Sequence, residues 1–218
     1  MMQATSRHGG GLAAPSVDRK KGGPMTSPTT AGRANQKLRT RSAIVQAAAD
    51  LAGTGREVGM PEIARAALVS EATAYRYFPD LVSLLREAIA GQLPTPEQAL
   101  APVEHSEDPV ERVAAATEFL LRHVLARQGV VRAMIAGTVA RPAQGSRPGL
   151  RFGLIEHALA PLAGTGRREE LEQLKRGLAV VVSAEALFNL TDLYGLEAEQ
   201  AIASLVGTAT TLTRAALR

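Results

Sequence analysis

The stretch from Val69 to Asp80, VSEATAYRYFPD, decides the fold. It puts Tyr75, Tyr77 and Phe78 within four residues of one another, in a chain that holds only 3 Tyr and 4 Phe. Ser70 followed by Glu71 is a helix start: a hydroxyl to cap the first turn and a carboxylate beside its free N–H groups. Phe78-Pro79 is a stop, because a residue before proline is pushed out of helical geometry. Upstream, MPEIARAA reads as a second short helix with Pro61 in its first turn, where a missing N–H costs nothing. Leu68 and Val69 leave room only for a tight turn between the two. Such a pair is a helix-turn-helix, whose second helix can enter the DNA major groove.

The pattern continues on both sides. LRTRSAIVQAAADLAGTG sets Ile44, Ala47, Ala48 and Leu51 at helical spacing and ends at Gly53 or Gly55. Asp80 caps a following helix, LVSLLREAIAGQL, with Leu81, Leu84, Leu85 and Ala88 on one face. Residues 93–108 hold three prolines and read as a connection. Further helices are expected over about Pro109–Arg127, Val130–Ala140, Leu150–Leu162, a long one over Arg168–Tyr194, and Glu197–Leu217. No segment sustains a period of two, so the chain reads as all-α.

Charge divides the same way. Residues 1–92 carry 12 Lys/Arg against 7 Asp/Glu, and residues 93–218 carry 13 against 14. Most of the excess precedes residue 42, in Arg7, Arg19, Lys20, Lys21, Arg33, Lys37, Arg39 and Arg41. A basic end on a near-neutral body fits an anionic partner. Residues 1–36 are rich in Gly, Pro, Ser and Thr and are expected to be a disordered basic tail. The expected domains are therefore 1–36, a DNA-binding domain over 37–92, and a helical domain over 93–218. No apolar run approaches membrane-spanning length. The absence of Cys excludes disulfides and suits a cytoplasmic protein. Four His without HxxxH spacing make a metal effector unexpected, and no cofactor motif is present.

The run from Arg39 to Leu85 resembles the N-terminal domain of TetR-family transcriptional regulators. The specific part is the T-x-Y-x-Y-F-x-D pattern at Thr73, Tyr75, Tyr77, Phe78 and Asp80. The resemblance implies an N-terminal three-helix helix-turn-helix domain followed by a helical ligand-binding and dimerisation domain. It implies that Ser70, Glu71, Ala72 and Thr73 meet base edges and that Tyr75 and Tyr77 bind phosphate. Thr40 and Arg41 would grip a phosphate where the first helix opens, and Phe78 would lock the core against Ile44, Ile63 and Leu84. Three positions depart from the family's habit. Leu68 stands where Gly is frequent, Gly59 where Thr or Ser often caps the second helix, and Leu81 where Lys is frequent. Arg76, or the basic arm at Arg33, Lys37 and Arg39, is expected to replace the lost anchors.

In the second half, Leu174, Leu178, Val181 and Val182 form one apolar stripe, and Ile202, Leu205, Val206, Ala209, Leu212 and Ala216 another. With small residues at Ala179, Ala186, Gly207 and Ala209, these stripes are expected to build a homodimer from the last two helices. Thr117, His123, Arg132, Arg151, His157, Glu185 and Asn189 interrupt apolar faces, and Phe119, Phe152 and Phe188, with Met134, could wall a cavity. These are the expected effector-binding residues. The leading expectation is a homodimeric repressor on a palindromic operator, released by a small molecule. The alternatives are a DNA-binding architectural or adaptor protein without an effector pocket, and an all-α enzyme. Against the enzyme stands the lack of a Gly-rich phosphate loop, nucleophile elbow or metal-spaced cluster.

Overall fold

The computed structural model describes residues 30–90, 92–140, 149–164 and 166–218, and no strand occurs among them. Of the tail expected to be disordered over residues 1–36, residues 1–29 lie outside the described residues, whereas residues 30–36 are helical, which corrects the expectation there. The first helix, α1 (Thr30–Ala52), starts seven residues before Lys37. Residues 32–39 are all exposed, so this segment projects beyond the core. Apolar periodicity could not reveal it. Arg33, Ala34, Gln36, Lys37, Leu38 and Arg39 are good helix formers that offset Gly32 and Asn35, and the segment extends a helix whose other half is anchored by packing.

Three helices complete the N-terminal unit: α2 (Met60–Ala66), α3 (Glu71–Tyr77) and α4 (Leu81–Ala90). Ser70 caps α3, its hydroxyl oxygen accepting from the Thr73 N–H at 3.2 Å. Asp80 accepts from the Ser83 N–H at 2.7 Å and opens α4. Gly59 offers α2 no side-chain cap. Ile44, Ile63, Phe78 and Leu84 are all buried in one core, as the resemblance implies, with Ala74 among them.

The connection expected at 93–108 contains a short helix, α5 (Pro96–Leu100), which the prolines concealed. A capping box starts it: Thr95 accepts from the Gln98 N–H, and the Gln98 side chain accepts from the Thr95 N–H. Then follow α6 (Pro109–Ala126), α7 (Gln128–Ala140) and α8 (Leu150–Ala158). The single long helix expected over Arg168–Tyr194 is not formed. Instead α9 (Arg168–Val181) stops, α10 (Ala184–Phe188) restarts, and a wider π-type turn covers Asn189–Leu193. The break has a local cause. Ser183 donates to the Val180 carbonyl at 2.8 Å and accepts from the Ala186 N–H at 3.1 Å, capping a new helix where three valines weaken the old one. The chain closes with α11 (Ala198–Ala216).

A second core lies between α6, α8, α9, α10 and α11. Leu174, Leu178, Val182, Ile202, Leu205 and Ala209, read above as an intermolecular stripe, are buried in it within one chain. That corrects their role. What α9 and α11 leave outside is a different face, with Val180 73% exposed and Leu212 36% exposed beside Gly177, Gly207, Thr208 and Ala215.

Helix α7 belongs to both cores. Val130 and Met134 are buried with the N-terminal unit, while Val131 and Ile135 pack against the C-terminal core. Two glycines allow the N-terminal contact. A Cβ on Gly129 would stand 1.8 Å from the Arg56 carbonyl oxygen, and one on Gly137 would stand 2.1 Å from Cγ2 of Val82.

Candidate functional site

Two surfaces have functional geometry. The first is the exposed end of α3. Ser70, Glu71 and Ala72 are exposed, Thr73 is half-buried, and Ser70 and Thr73 hydroxyls lie 2.9 Å apart. Tyr75 and Tyr77 stand two residues apart and so leave the helix in different directions. Tyr75 is 47% exposed and borders a hollow with Asp80, Ser83 and Arg86. Tyr77 is half-buried, with the Arg76 guanidinium 5.7 Å from its ring centre. Tyr77, Thr73 and Arg76 form one wall of a polar groove; Arg33, Gln36, Lys37 and Thr40 of α1 form the other. Three cations thus border a groove alongside the first turn of α3, a setting suited to a phosphodiester backbone. The projecting part of α1 supplies two of them.

Arg41 is placed differently from the expectation. Its guanidinium forms a two-pronged ion pair with the Glu87 carboxylate of α4 and stacks 4.8 Å from the Phe78 ring centre. It pins α1 to α4. Thr40 spends its hydroxyl proton on the Gln36 carbonyl at 3.0 Å, which leaves its oxygen lone pairs on the groove wall. Leu68, in the turn, adopts φ 56° and is 92% exposed. The left-handed backbone there explains why a glycine would suit the position.

The second surface is a cavity of about 340 Å³ between α4, α6, α7, α8 and α10. Ile89, Leu93, Leu120, Val124, Val131, Met134, Ile135 and Leu150 give it an apolar lining, and His123, Arg151, Phe152, Ser183 and Glu185 also face it. Of the expected effector residues, the fold brings His123, Met134, Arg151, Phe152 and Glu185 to this cavity. It leaves Thr117, Phe119, Arg132, His157, Phe188 and Asn189 off the lining. Thr117 is fully buried and donates to the Val113 carbonyl at 2.7 Å. Phe119 stacks against His123 with ring centres 6.0 Å apart. Arg132 pairs with Asp192 and lies 3.8 Å from the ring centre of the buried Phe188. Asn189 is exposed at the head of the π-type turn.

Electrostatics inside the cavity are nearly balanced. Arg151 and Glu185 form an ion pair at 3.3 Å, and the Arg151 guanidinium lies 4.9 Å from the Phe152 ring centre. Burial, and then the charge of Arg127, lower the pKa of His123 below its ordinary value. The Nε2 atom of His123 is buried with no hydrogen-bond partner among the described residues.

Sequence reasoning missed Arg112. It is 4% exposed and donates to the backbone carbonyls of Val103, Glu104, Ala158 and His157. It ties α6 to the C-terminal end of α8, where the carbonyls point outward. An arginine at i, i+4 from apolar neighbours gives no sign of this in sequence. Among the described residues no cluster of three or more His, Cys, Asp or Glu could hold a metal, and no helix is long and apolar enough to cross a membrane.

Against known proteins, residues 44–88 match the family model of the bacterial regulatory proteins of the tetR family. The matched span runs from the buried half of α1 through α4. No curated protein sequence matches the chain. The fold is similar to the crystal structure of a TetR transcriptional regulator from Rhodococcus sp. RHA1, at a TM-score of 0.51 and 20% identity, covering 81% of this chain and 97% of that one.

Proposed function

We propose that this chain is an operator-binding repressor released by a small molecule, a reading supported by the match of residues 44–88 to the tetR family model. One observation carries the DNA-binding half: the exposed start of α3 lies beside a groove bordered by Arg33, Lys37 and Arg76. Glu71, Ala72 and Thr73 are the base readers, with Ser70 holding the turn. Tyr75, Tyr77, Arg76 and Thr40 hold the backbone, and Arg33 and Lys37 replace the cation missing at Leu81. Arg41 acts indirectly, by fixing α1 on α4.

The effector half rests on the cavity. An adaptor that had lost its pocket would be packed shut, whereas this domain keeps 340 Å³ open, within the roughly 300–1,000 Å³ of small-molecule sites. The cavity is also well placed to act on DNA binding. Val131 and Ile135 of α7 line it, and Met134 reaches from the same helix into the N-terminal core. A ligand that moved α7 would move the seat of the helix-turn-helix. It can weaken DNA binding only by preferring the shifted arrangement. The dimer is formed through the exposed faces of α9 and α11, around Gly177, Val180, Gly207 and Leu212, and it sets two α3 helices on a palindrome.

The test is selection of bound sequences from a random duplex pool, followed by footprinting at fixed salt. A palindromic consensus protected in two half-sites is expected. Binding without sequence preference would overturn the reading in favour of an architectural role.

A further inference from the structure

The cavity also carries information about what fills it, if it is the effector site as proposed. The starting point is the tautomer of His123. Nη1 of Arg127 lies 3.3 Å from Nδ1 of the ring. A guanidinium has only donors, so Nδ1 accepts and the ring proton of the neutral imidazole sits on Nε2. That N–H is buried and finds no acceptor among the described residues. A buried donor left unpaired is costly, and the cost vanishes when a ligand brings an acceptor.

The remaining charges argue about the ligand's own charge. Arg151 is already paired with Glu185 at 3.3 Å, and a second cation on His123 is opposed by burial and by Arg127. The lining therefore offers an incoming ion no unspent countercharge, and burying an unpaired ion is prohibitive. Around this one donor the lining is aliphatic and aromatic: Leu120, Val124, Val131, Ile135 and Phe152. We propose that the cavity binds an uncharged, predominantly apolar small molecule with a single hydrogen-bond acceptor, such as a ketone oxygen, seated on the Nε2–H of His123.

Three naphthalene probes separate the terms. 2-Acetonaphthone carries the carbonyl, 2-isopropenylnaphthalene replaces its oxygen by CH₂ with the shape kept, and 2-naphthoate carries a charge. Equilibrium dialysis against the full chain measures each. The ketone is expected to bind about tenfold tighter than the alkene, the worth of one hydrogen bond to a buried donor, and tighter than the carboxylate. In His123→Phe the ketone and alkene should bind alike. The comparison within the unmodified protein keeps the test valid if that variant folds poorly. Equal binding of ketone and alkene, preference for the carboxylate, or no binding of any probe each overturns the proposal. A gel shift with operator DNA keeps the two readings apart. Binding that depends on His123 without release of DNA leaves the ligand class standing and removes the effector role. Release that is indifferent to His123 does the reverse.

Discussion

Gly137 and Val82 meet so closely that a Cβ on the glycine would stand 2.1 Å from Cγ2 of the valine. This contact joins α7 to α4, and hence the cavity wall to the DNA-binding unit. Valine is stiff at χ1 and cannot swing away cheaply. Gly137→Ala should therefore push α4 and α7 apart and cost about 1–3 kcal/mol in a urea titration, the usual range for overpacking. Adding Val82→Ala should restore most of it. A double-mutant cycle with no coupling would show that the two helices are not held at this contact. The single variant should also bind operator more weakly than its lost stability explains, because the seat of the helix-turn-helix has moved.

Leu68 predicts the opposite sign. Its φ of 56° costs a leucine roughly 1–2 kcal/mol, and its side chain is 92% exposed and gains little from packing. Leu68→Gly should raise the unfolding free energy by up to about 1 kcal/mol, part of the strain relief being offset by the freer unfolded glycine. Thermal unfolding at constant pH reads this directly. A lower midpoint would mean that the side chain is held by a contact outside the described residues.

These two positions also show what sequence could and could not reveal. The turn was legible because Ser70, Pro79 and Asp80 act on their own neighbours in the chain, and local rules suffice for local acts. The core partners of Phe78 followed from the resemblance of the Arg39–Leu85 run to a known family. The effector residues did not. A polar residue interrupting an apolar face can be spent internally, as in Thr117 on Val113, or shared between helices, as in Arg132 on Asp192 and Phe188. His123, Met134, Arg151, Phe152 and Glu185 reach the cavity, and no spacing rule separates them from the others. The stripes expected at the dimer divided for a related reason, most members serving the chain's own core while Leu212 and Gly207 stay outside. Periodicity shows that a face is apolar, not whether its own chain already covers it.

Phe188 now belongs to stability rather than ligand release. It is 8% exposed and lies under the Arg132 guanidinium at 3.8 Å. Phe188→Ala should cost about 3–5 kcal/mol, as large-to-small core changes do. Probe binding per folded molecule should survive. If the variant folds normally and alone loses effector release, the cavity extends to Phe188 in solution.

The groove cations separate by partner. Arg33 and Lys37 project from α1 beside Arg76, whereas Arg41 is occupied by Glu87. Arg33→Ala with Lys37→Ala should flatten the slope of log affinity against log salt by about two, roughly one per phosphate lost, without changing the consensus. Arg41→Ala should lower stability and leave the slope nearly unchanged. A slope that falls with Arg41 but not with Arg33 and Lys37 would return the phosphate contact to Arg41.

His123 makes the pH dependence specific. Burial, then Arg127, holds its folded pKa below 6.5. The unfolded chain takes up this proton near pH 6.5 while the folded chain still refuses it. Between pH 6.5 and the lower folded value the unfolded state binds more protons, so stability falls as pH falls. Above 6.5 both states are neutral and this group gives no slope. The carboxylates of Glu97, Asp192 and Glu199 are all held below their ordinary values, so they act at lower pH and do not blur the window. Arg151 and Glu185 share the cavity lining with His123 and pair with each other. Urea midpoints should therefore drop between pH 7.0 and pH 5.5, and His123→Phe should flatten that drop. The same drop in both proteins would place the titrating group elsewhere, and with it the argument that the imidazole is neutral when the ligand arrives.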